Sequence, residues 1–181
     1  MSDEKSDDES RPNPLLKAAE IAAQATRFGH PWNPNSEIIG TRLSRLAGLT
    51  RASVTVGRIP PGKESFLYHS HQFEEEWMYI LAGRGMADIG DEELEVGPGD
   101  FLGFPAPSVG HHLRNPFAED LVYLSGGERR DLEVAEFPRI GKHSVRFGRR
   151  ISLFDSSAAE RFPGVSPLIS NGDIPGSPTK R

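Results

Sequence analysis

The chain has 181 residues, a formal net charge of −5 and no cysteine. This length suits one domain with a sizeable core and tails. The lack of cysteine excludes disulfides, thiolate zinc sites and cysteine nucleophiles, and the negative charge gives no general attraction to nucleic acid or anionic lipid. No apolar run approaches the ~18 residues of a membrane-spanning helix, and the acidic N-terminus is unlike a signal peptide, so the cytoplasm is the expected location.

The first part of the chain predicts a tail followed by one helix. Residues 1–12 carry mainly Asp, Glu, Ser and Lys and are expected to be a disordered acidic tail. A helix and a linker are predicted over residues 13–34, since Asn13 and Pro14 are typical of a helix start. Gly29 lies where a C-terminal cap belongs, so we expect the helix to continue as far as Phe28.

Short strands separated by glycine and proline turns follow. They are predicted at residues 53–59, 76–81, 86–89, 94–96, 101–104, 111–114 and 121–125. This pattern indicates an all-β barrel or sandwich over residues 35–150. Two further segments, 134–137 and 144–147, are expected to be edge strands or an arm laid on a neighbour. Residues 151–181 are expected to be an extended or mobile tail.

Residues 62–83 contain the strongest chemical signal. Side chains alternate faces on a strand, so His69 and His71 point to the same side and can share one ion. A short loop or bulge over residues 72–75 can turn the next carboxylate toward that ion. Together with the distant His111, these residues form a typical ligand set for a divalent transition metal. Periodicity does not choose between Glu75 and Glu76, because both faces of the following strand are apolar.

The same stretch resembles the first motif of the cupin superfamily, Gly-x5-His-x-His-x3,4-Glu-x6-Gly. The sequence meets it from Gly62 to Gly83, with one extra residue before His69. Within the motif, the Glu-x6-Gly spacing selects Glu76 as the carboxylate ligand.

A second stretch resembles the second cupin motif, Gly-x5-Pro-x-Gly-x2-His-x3-Asn. It runs from Gly99 to Asn115, with Pro107 in place of a glycine and one extra residue before the histidine. These differences leave His111 and His112 as alternative ligands, and the His-x3-Asn spacing favours His111. Strand alternation predicts that His112 points to the opposite face.

The resemblance implies a double-stranded β-helix barrel of the cupin or jelly-roll type, with an N-terminal helix and extended tails. It also implies one divalent ion (Fe, Mn, Ni or Zn) inside the barrel, and a homodimer. The implied ligands are His69, His71, Glu76 and His111. More narrowly, residues 103–106, 110–115 and 136–142 resemble a group of single-domain bacterial cupins, some of them labelled sugar-phosphate isomerase-like.

Four motif positions in the right order favour a metal site over scattered surface polar groups. The expected function is a metal-dependent enzyme of isomerase, dioxygenase or lyase type acting on a small oxygenated substrate. The alternative is a non-catalytic barrel that binds or senses a small molecule. Glu74 and Glu75 are expected to be solvated loop charges. Neither nucleic acid nor a membrane is an expected partner.

Overall fold

The computed structural model describes residues 12–158 of the chain. The acidic tail predicted over residues 1–12 lies almost wholly outside the described residues, as does most of the tail predicted over residues 151–181.

Thirteen strands, two short α-helices and two 3-10 helices form the regular structure of the described chain. The α-helices are α1 (Ala18–Ala23) and α2 (Leu43–Leu46), and the 3-10 helices are Pro138–Ile140 and Ser156–Ala158. The strands are β1 (Thr26–Phe28), β2 (Ile38–Arg42), β3 (Ala52–Ile59), β4 (Ser70–His71), β5 (Glu76–Ala82), β6 (Gly85–Ile89), β7 (Glu92–Val96), β8 (Phe101–Phe104), β9 (His111–Arg114), β10 (Leu121–Glu128), β11 (Leu132–Phe137), β12 (Lys142–Phe147) and β13 (Arg150–Asp155). The predicted all-β fold is therefore confirmed.

The strands form three antiparallel sheets that enclose one apolar core. The largest sheet has the order β1-β2-β3-β10-β5-β8, and the others are β13-β12-β11-β4 and β7-β6-β9. Residues that alternate along β5 and β10 face inward, as strand geometry requires. The buried apolar cluster consists of Ile38, Ile59, Met78, Ile80, Ala87, Val96, Leu102, Phe104, Leu113, Leu121 and Tyr123. This arrangement is the jelly-roll barrel expected from the sequence.

The N-terminal helix is shorter than the sequence predicts. It covers Ala18–Ala23, and the Lys17 backbone N–H donates to the Glu20 carboxylate at its start. The following residues form β1, in which Thr26 pairs with Gly40 and Phe28 with Ile38. β-Branched and aromatic residues favour a pleated strand, and the pairing with β2 satisfies backbone groups that a longer helix would otherwise have satisfied.

The C-terminal strands extend the sheet structure beyond the predicted barrel. β11 and β12 include the segments predicted as edge strands or an arm, and they pair with each other within this chain. β13 pairs with β12 and lies past the predicted boundary at residue 150. β11 also pairs with β4, where Ala135 lies opposite His71. The C-terminal strands therefore lie directly against the first motif.

The outer face of the largest sheet carries exposed apolar side chains. On β5, Tyr79 and Leu81 are exposed, whereas the alternating Met78 and Ile80 are buried. Beside them, Phe101 is exposed and lies nearly parallel to the ring of Trp77. The homodimer expected from the resemblance stays a prediction.

Among residues 12–158, no helix has both the length and the apolar character needed to cross a lipid bilayer.

Replacing the fully buried Ile80 with alanine should destabilise the barrel by about 2–5 kcal/mol, because the lost contacts leave a cavity in the core. The free energy of unfolding can be measured by chemical denaturation. Leu81→Ala is the matched control, since Leu81 is adjacent on the same strand and 45% exposed. Equal losses in the two variants would contradict the assigned inward face of β5.

Candidate metal centre

Backbone pairing between distant segments brings the two motifs together. His69 and His111 form an antiparallel bridge, with the His69 N–H donating to the His111 carbonyl at 3.2 Å and the His111 N–H donating to the His69 carbonyl at 2.8 Å. His71 lies in β4, and Glu76 is the first residue of β5, opposite Gly127 of β10 and Phe104 of β8. The sheets therefore position all four residues predicted as ligands at one place.

The four side chains converge through their reactive atoms. One carboxylate oxygen of Glu76, Oε2, lies 3.1 Å from His111 Nε2, 3.2 Å from His71 Nε2 and 3.6 Å from His69 Nε2. One ligand atom from each residue lies within 4.8 Å of every other. Three imidazoles and one carboxylate around a common point form a donor set that several divalent transition metals accept.

The opposite ring nitrogen of each histidine has its own acceptor. Nδ1 of His69 lies 2.7 Å from the Leu67 carbonyl, and Nδ1 of His111 lies 3.0 Å from the Val109 carbonyl. For His71, the neighbour of Nδ1 is a carboxylate oxygen of Glu133 at 3.3 Å. A proton on each Nδ1 can be donated to these oxygens, which leaves the Nε2 lone pairs free to bind a cation.

The charge state of Glu76 supports the same interpretation. Burial alone would raise the pKa of Glu76, but hydrogen bonding with His111, His69 and His71 holds that pKa well below its ordinary value. Those hydrogen bonds require protons on the Nε2 atoms. When the imidazoles are neutral and protonated at Nδ1, they direct three lone pairs at this anionic carboxylate instead. Such an arrangement is favourable only when a cation or a proton lies between the donors, so the residues fit a bound divalent ion.

An aromatic ring holds one of the histidines in place. The Phe104 ring stacks on the His111 ring, with centroids 3.8 Å apart and planes at 10° to each other. Both side chains are buried, so the packing restricts the imidazole to one orientation. A fixed ring keeps Nε2 pointed at Glu76 and lowers the entropic cost of binding an ion.

The structure distinguishes between the adjacent carboxylates that periodicity left open. Glu76 points into the cluster, whereas Glu75 is exposed. The expectation that Glu74 is a solvated loop charge is wrong. Glu74 is 7% exposed, forms an ion pair with Arg146 and accepts the Arg130 backbone N–H. It is buried because β12 and the turn after β10 supply donors that the local sequence does not show.

Sequence reasoning missed Glu133, a buried carboxylate beside the cluster. Glu133 is 4% exposed and accepts the backbone N–H groups of Gln72 at 2.9 Å and Phe73 at 3.1 Å. The same side chain faces His71 Nδ1. It therefore links β11 to the loop after β4 and orients one of the candidate ligands. No motif signals this residue, although a glutamate between Leu132 and Val134 on a strand is a weak hint.

His112 lies on the opposite face of β9 from His111, as strand alternation predicts. Its Nδ1 is 3.9 Å from Asp88 and its Nε2 is 3.7 Å from Glu64, and neither nitrogen has a hydrogen-bond partner among the described residues. Burial lowers the pKa of His112 to about 4, against the opposing effect of the two carboxylates. A neutral histidine that faces away from Glu76 is not a member of the cluster.

Comparison of the sequence with known proteins gives two matches. Residues 55–127 match the family described as Cupin domain. A second match, 35% identical over 65 residues, is to an uncharacterized protein of Methanocaldococcus jannaschii and covers 36% of this chain. The matched segment spans 50% of that relative's length.

Solved structures extend the similarity over most of the chain. A candidate sugar phosphate isomerase from Acidithiobacillus ferrooxidans is 33% identical, with a TM-score of 0.78, over 82% of this chain and 96% of that chain. A cupin-superfamily sugar phosphate isomerase from Silicibacter pomeroyi is 21% identical, with a TM-score of 0.70, over 83% of this chain and 98% of that chain. The second similarity concerns the fold alone.

Replacing Glu133 with glutamine should weaken metal binding by about 10- to 100-fold, because the variant loses the charge that orients His71 through its Nδ1 proton. Competition with a chelator of known affinity measures the change. Glu136→Gln is the matched control, since Glu136 is exposed on the same strand. Unchanged metal affinity in Glu133→Gln would show that this carboxylate does not support the cluster.

Stability should fall on acidification partly because of His112. The unfolded chain binds a proton at this residue near pH 6.5, whereas the folded protein resists protonation until about pH 4. The unfolded state therefore gains protons first, and the loss between these pH values is on the order of 3 kcal/mol. Denaturant titrations across this range should show a shallower decline for His112→Gln than for wild type or His143→Gln. Parallel curves for all three proteins would contradict the expectation.

Proposed function

The chain belongs to the cupin superfamily, and we propose that it is a metal-dependent enzyme acting on a small oxygenated organic substrate. One observation carries the proposal: three Nε2 atoms surround Glu76 Oε2 while every Nδ1 faces an oxygen acceptor. A barrel without a ligand would have no need to bring four such donors together at one half-buried point, because polar groups withdrawn from water without compensation cost stability.

His69, His71, Glu76 and His111 would hold one divalent ion of Fe, Mn, Ni or Zn, since imidazole and carboxylate suit each of them. The bound ion would polarise a carbonyl or hydroxyl oxygen of a chelated substrate as a Lewis acid. Among isomerase, dioxygenase and lyase chemistry, we favour isomerisation. The Acidithiobacillus relative, named as a candidate sugar phosphate isomerase, supports this choice through its 33% identity over most of both chains.

A cavity of about 1060 Å³ lies beside the cluster, and His69 and Glu76 form part of its wall. This volume is large enough for a small organic molecule. Hydroxyl groups from neighbouring inward positions of the largest sheet also line it, among them Thr55 and Ser125, which lie opposite each other on β3 and β10. These groups can hydrogen-bond to substrate oxygens and orient the molecule toward the metal ligands.

Tyr123 is the lining group best suited to hold a proton near the substrate. Burial raises the pKa of Tyr123, and the nearby Glu76 charge raises it further. Its phenol therefore stays protonated at neutral pH and can donate a hydrogen bond from its Oη atom to a substrate oxygen. A donor fixed by the barrel wall would stabilise negative charge that develops on that oxygen.

Protein purified without added metal should contain about one transition-metal ion per chain, and His71→Ala should lose most of it, because one of the four donors is gone. Elemental analysis measures the metal content directly. His143→Ala serves as the control, since His143 stacks on Phe154 in the C-terminal sheet and is not one of the four donors. Full metal content in His71→Ala would contradict the assignment of these four residues as the metal ligands.

Turnover by Fe-, Mn-, Ni- and Zn-loaded protein should be assayed with sugar phosphates, catechols and keto acids, with product formation followed by mass spectrometry. We expect at least one metal to support conversion, and His71→Ala to abolish it. Tight binding of a panel compound without conversion under any metal would instead support a barrel that binds or senses a small molecule.

A further inference from the structure

Three segments far apart in sequence each place arginine side chains on the wall of the 1060 Å³ cavity. Arg42 ends β2, and Arg45 lies in α2, which follows directly. Arg129 lies in the turn after β10, and Arg149 in the turn between β12 and β13. All four side chains are exposed, so they lie where the cavity meets solvent.

Backbone contacts hold these segments to one another. The Arg129 N–H donates to the Arg51 carbonyl at 2.9 Å, and the Gly148 N–H donates to the Asp131 carbonyl at 2.7 Å. The first bond ties the turn after β10 to the segment that precedes β3. The second ties the β12–β13 turn to the turn between β10 and β11. In addition, the Arg42 guanidinium lies 5.1 Å from the centroid of the Phe28 ring, which also lines the cavity. The arginines of the two C-terminal turns are therefore held on segments that are tied to each other and to the start of β3.

The arginines of this cavity differ from most others in the described chain. Seven arginines of residues 12–158 form ion pairs with carboxylates: Arg27, Arg58, Arg84, Arg114, Arg130, Arg139 and Arg146. Six form no such pair with a carboxylate of the described residues: Arg42, Arg45, Arg51, Arg129, Arg149 and Arg150. Four of these six line the cavity. Positive charge that is not paired by a carboxylate of residues 12–158 is thus concentrated around one opening.

The acidic groups of the cavity wall do not balance this charge. They are Asp131 and Glu76, and Glu76 is engaged by the three histidines. A divalent ion at the metal centre would add further positive charge. A concave surface with one sign of charge concentrates the field and attracts ligands of the opposite charge.

Resting on the function proposed above, we propose that the substrate carries an anionic group, a phosphate or a carboxylate, which Arg42, Arg45, Arg129 and Arg149 bind at the mouth of the cavity. The other end of the same molecule would present its oxygens to the ion held by His69, His71, Glu76 and His111. Guanidinium groups form paired, charge-assisted hydrogen bonds with both kinds of anion. The arginines are specificity-determining residues, and the hydroxyl groups of Ser53 and Thr50 line the same cavity.

The test compares arginines that line the cavity with arginines that are also exposed and also lack an ion pair with a described carboxylate. Arg45→Gln and Arg149→Gln each remove one guanidinium from the mouth. Arg150→Gln and Arg51→Gln are the matched controls, because neither residue lines the cavity or pairs with a described carboxylate. Thermal unfolding verifies that all four variants remain folded.

Inorganic phosphate and succinate are titrated calorimetrically at low ionic strength into full-length protein, both metal-free and metal-loaded. Phosphate or succinate should bind the wild type and bind each cavity variant about 10-fold more weakly, as expected for one lost charge-assisted hydrogen bond. The anion affinities of the two control variants should stay within about twofold of the wild-type affinity. The more tightly bound anion identifies the substrate group as phosphate or carboxylate. Failure of both anions to bind the wild type, or equal weakening in the controls, would overturn the inference.

Metal analysis of the same samples separates this inference from the proposed function. Arginine-dependent anion binding by protein that takes up no metal would uphold the anion site and reject the metal enzyme. Normal metal content with anion binding that ignores Arg45 and Arg149 would reject the anion site alone. For any substrate found to turn over, the cavity variants should raise KM about 10-fold for the charged substrate with kcat largely kept, and leave a neutral analogue unaffected.

Discussion

Three imidazole nitrogens and one carboxylate oxygen point at a common centre, and the surrounding structure is arranged to keep them there. Carbonyls of Leu67 and Val109 and the carboxylate of Glu133 each accept from an Nδ1 atom, so the rings cannot turn without losing a hydrogen bond. Phe104 packs flat against His111. Holding these donors so close together costs folding free energy unless a cation neutralises the group. The chemistry expected of the barrel therefore depends on this centre.

The centre depends on strands that lie outside the matched Cupin domain segment. That segment ends at residue 127, whereas Glu133 belongs to β11 and Arg146 to β12. Glu133 fixes the loop after β4 by accepting two backbone N–H groups, and Arg146 pairs with the buried Glu74 on the same loop. The C-terminal sheet therefore supports the loop and the histidine of the first motif.

The cavity beside the centre has two chemically different ends. Near Glu76 it is lined by His69 and by hydroxyl groups of the largest sheet, including that of Tyr123. At the opening it is lined by arginines from the β2–α2 segment and from the turns after β10 and β12. A molecule that matches both ends has oxygens to coordinate a metal and a separate negative charge, and the two interactions together fix its orientation.

Local sequence was sufficient to predict most of the strands and the group of residues at the candidate metal centre. Alternation of side chains predicted most of the strands and the opposite faces of His111 and His112, and motif spacing selected Glu76, which the structure places beside the three histidines. These inferences succeed because a strand's side-chain directions follow from neighbouring residues. Tertiary structure decided the rest. Pairing with β2 shortened the first helix, donors from β12 and from the turn after β10 buried Glu74, and the approach of three distant segments placed the arginines around one opening. Each of these depends on which remote segments meet, and that is set by the packing of the whole chain and not by any short stretch of it.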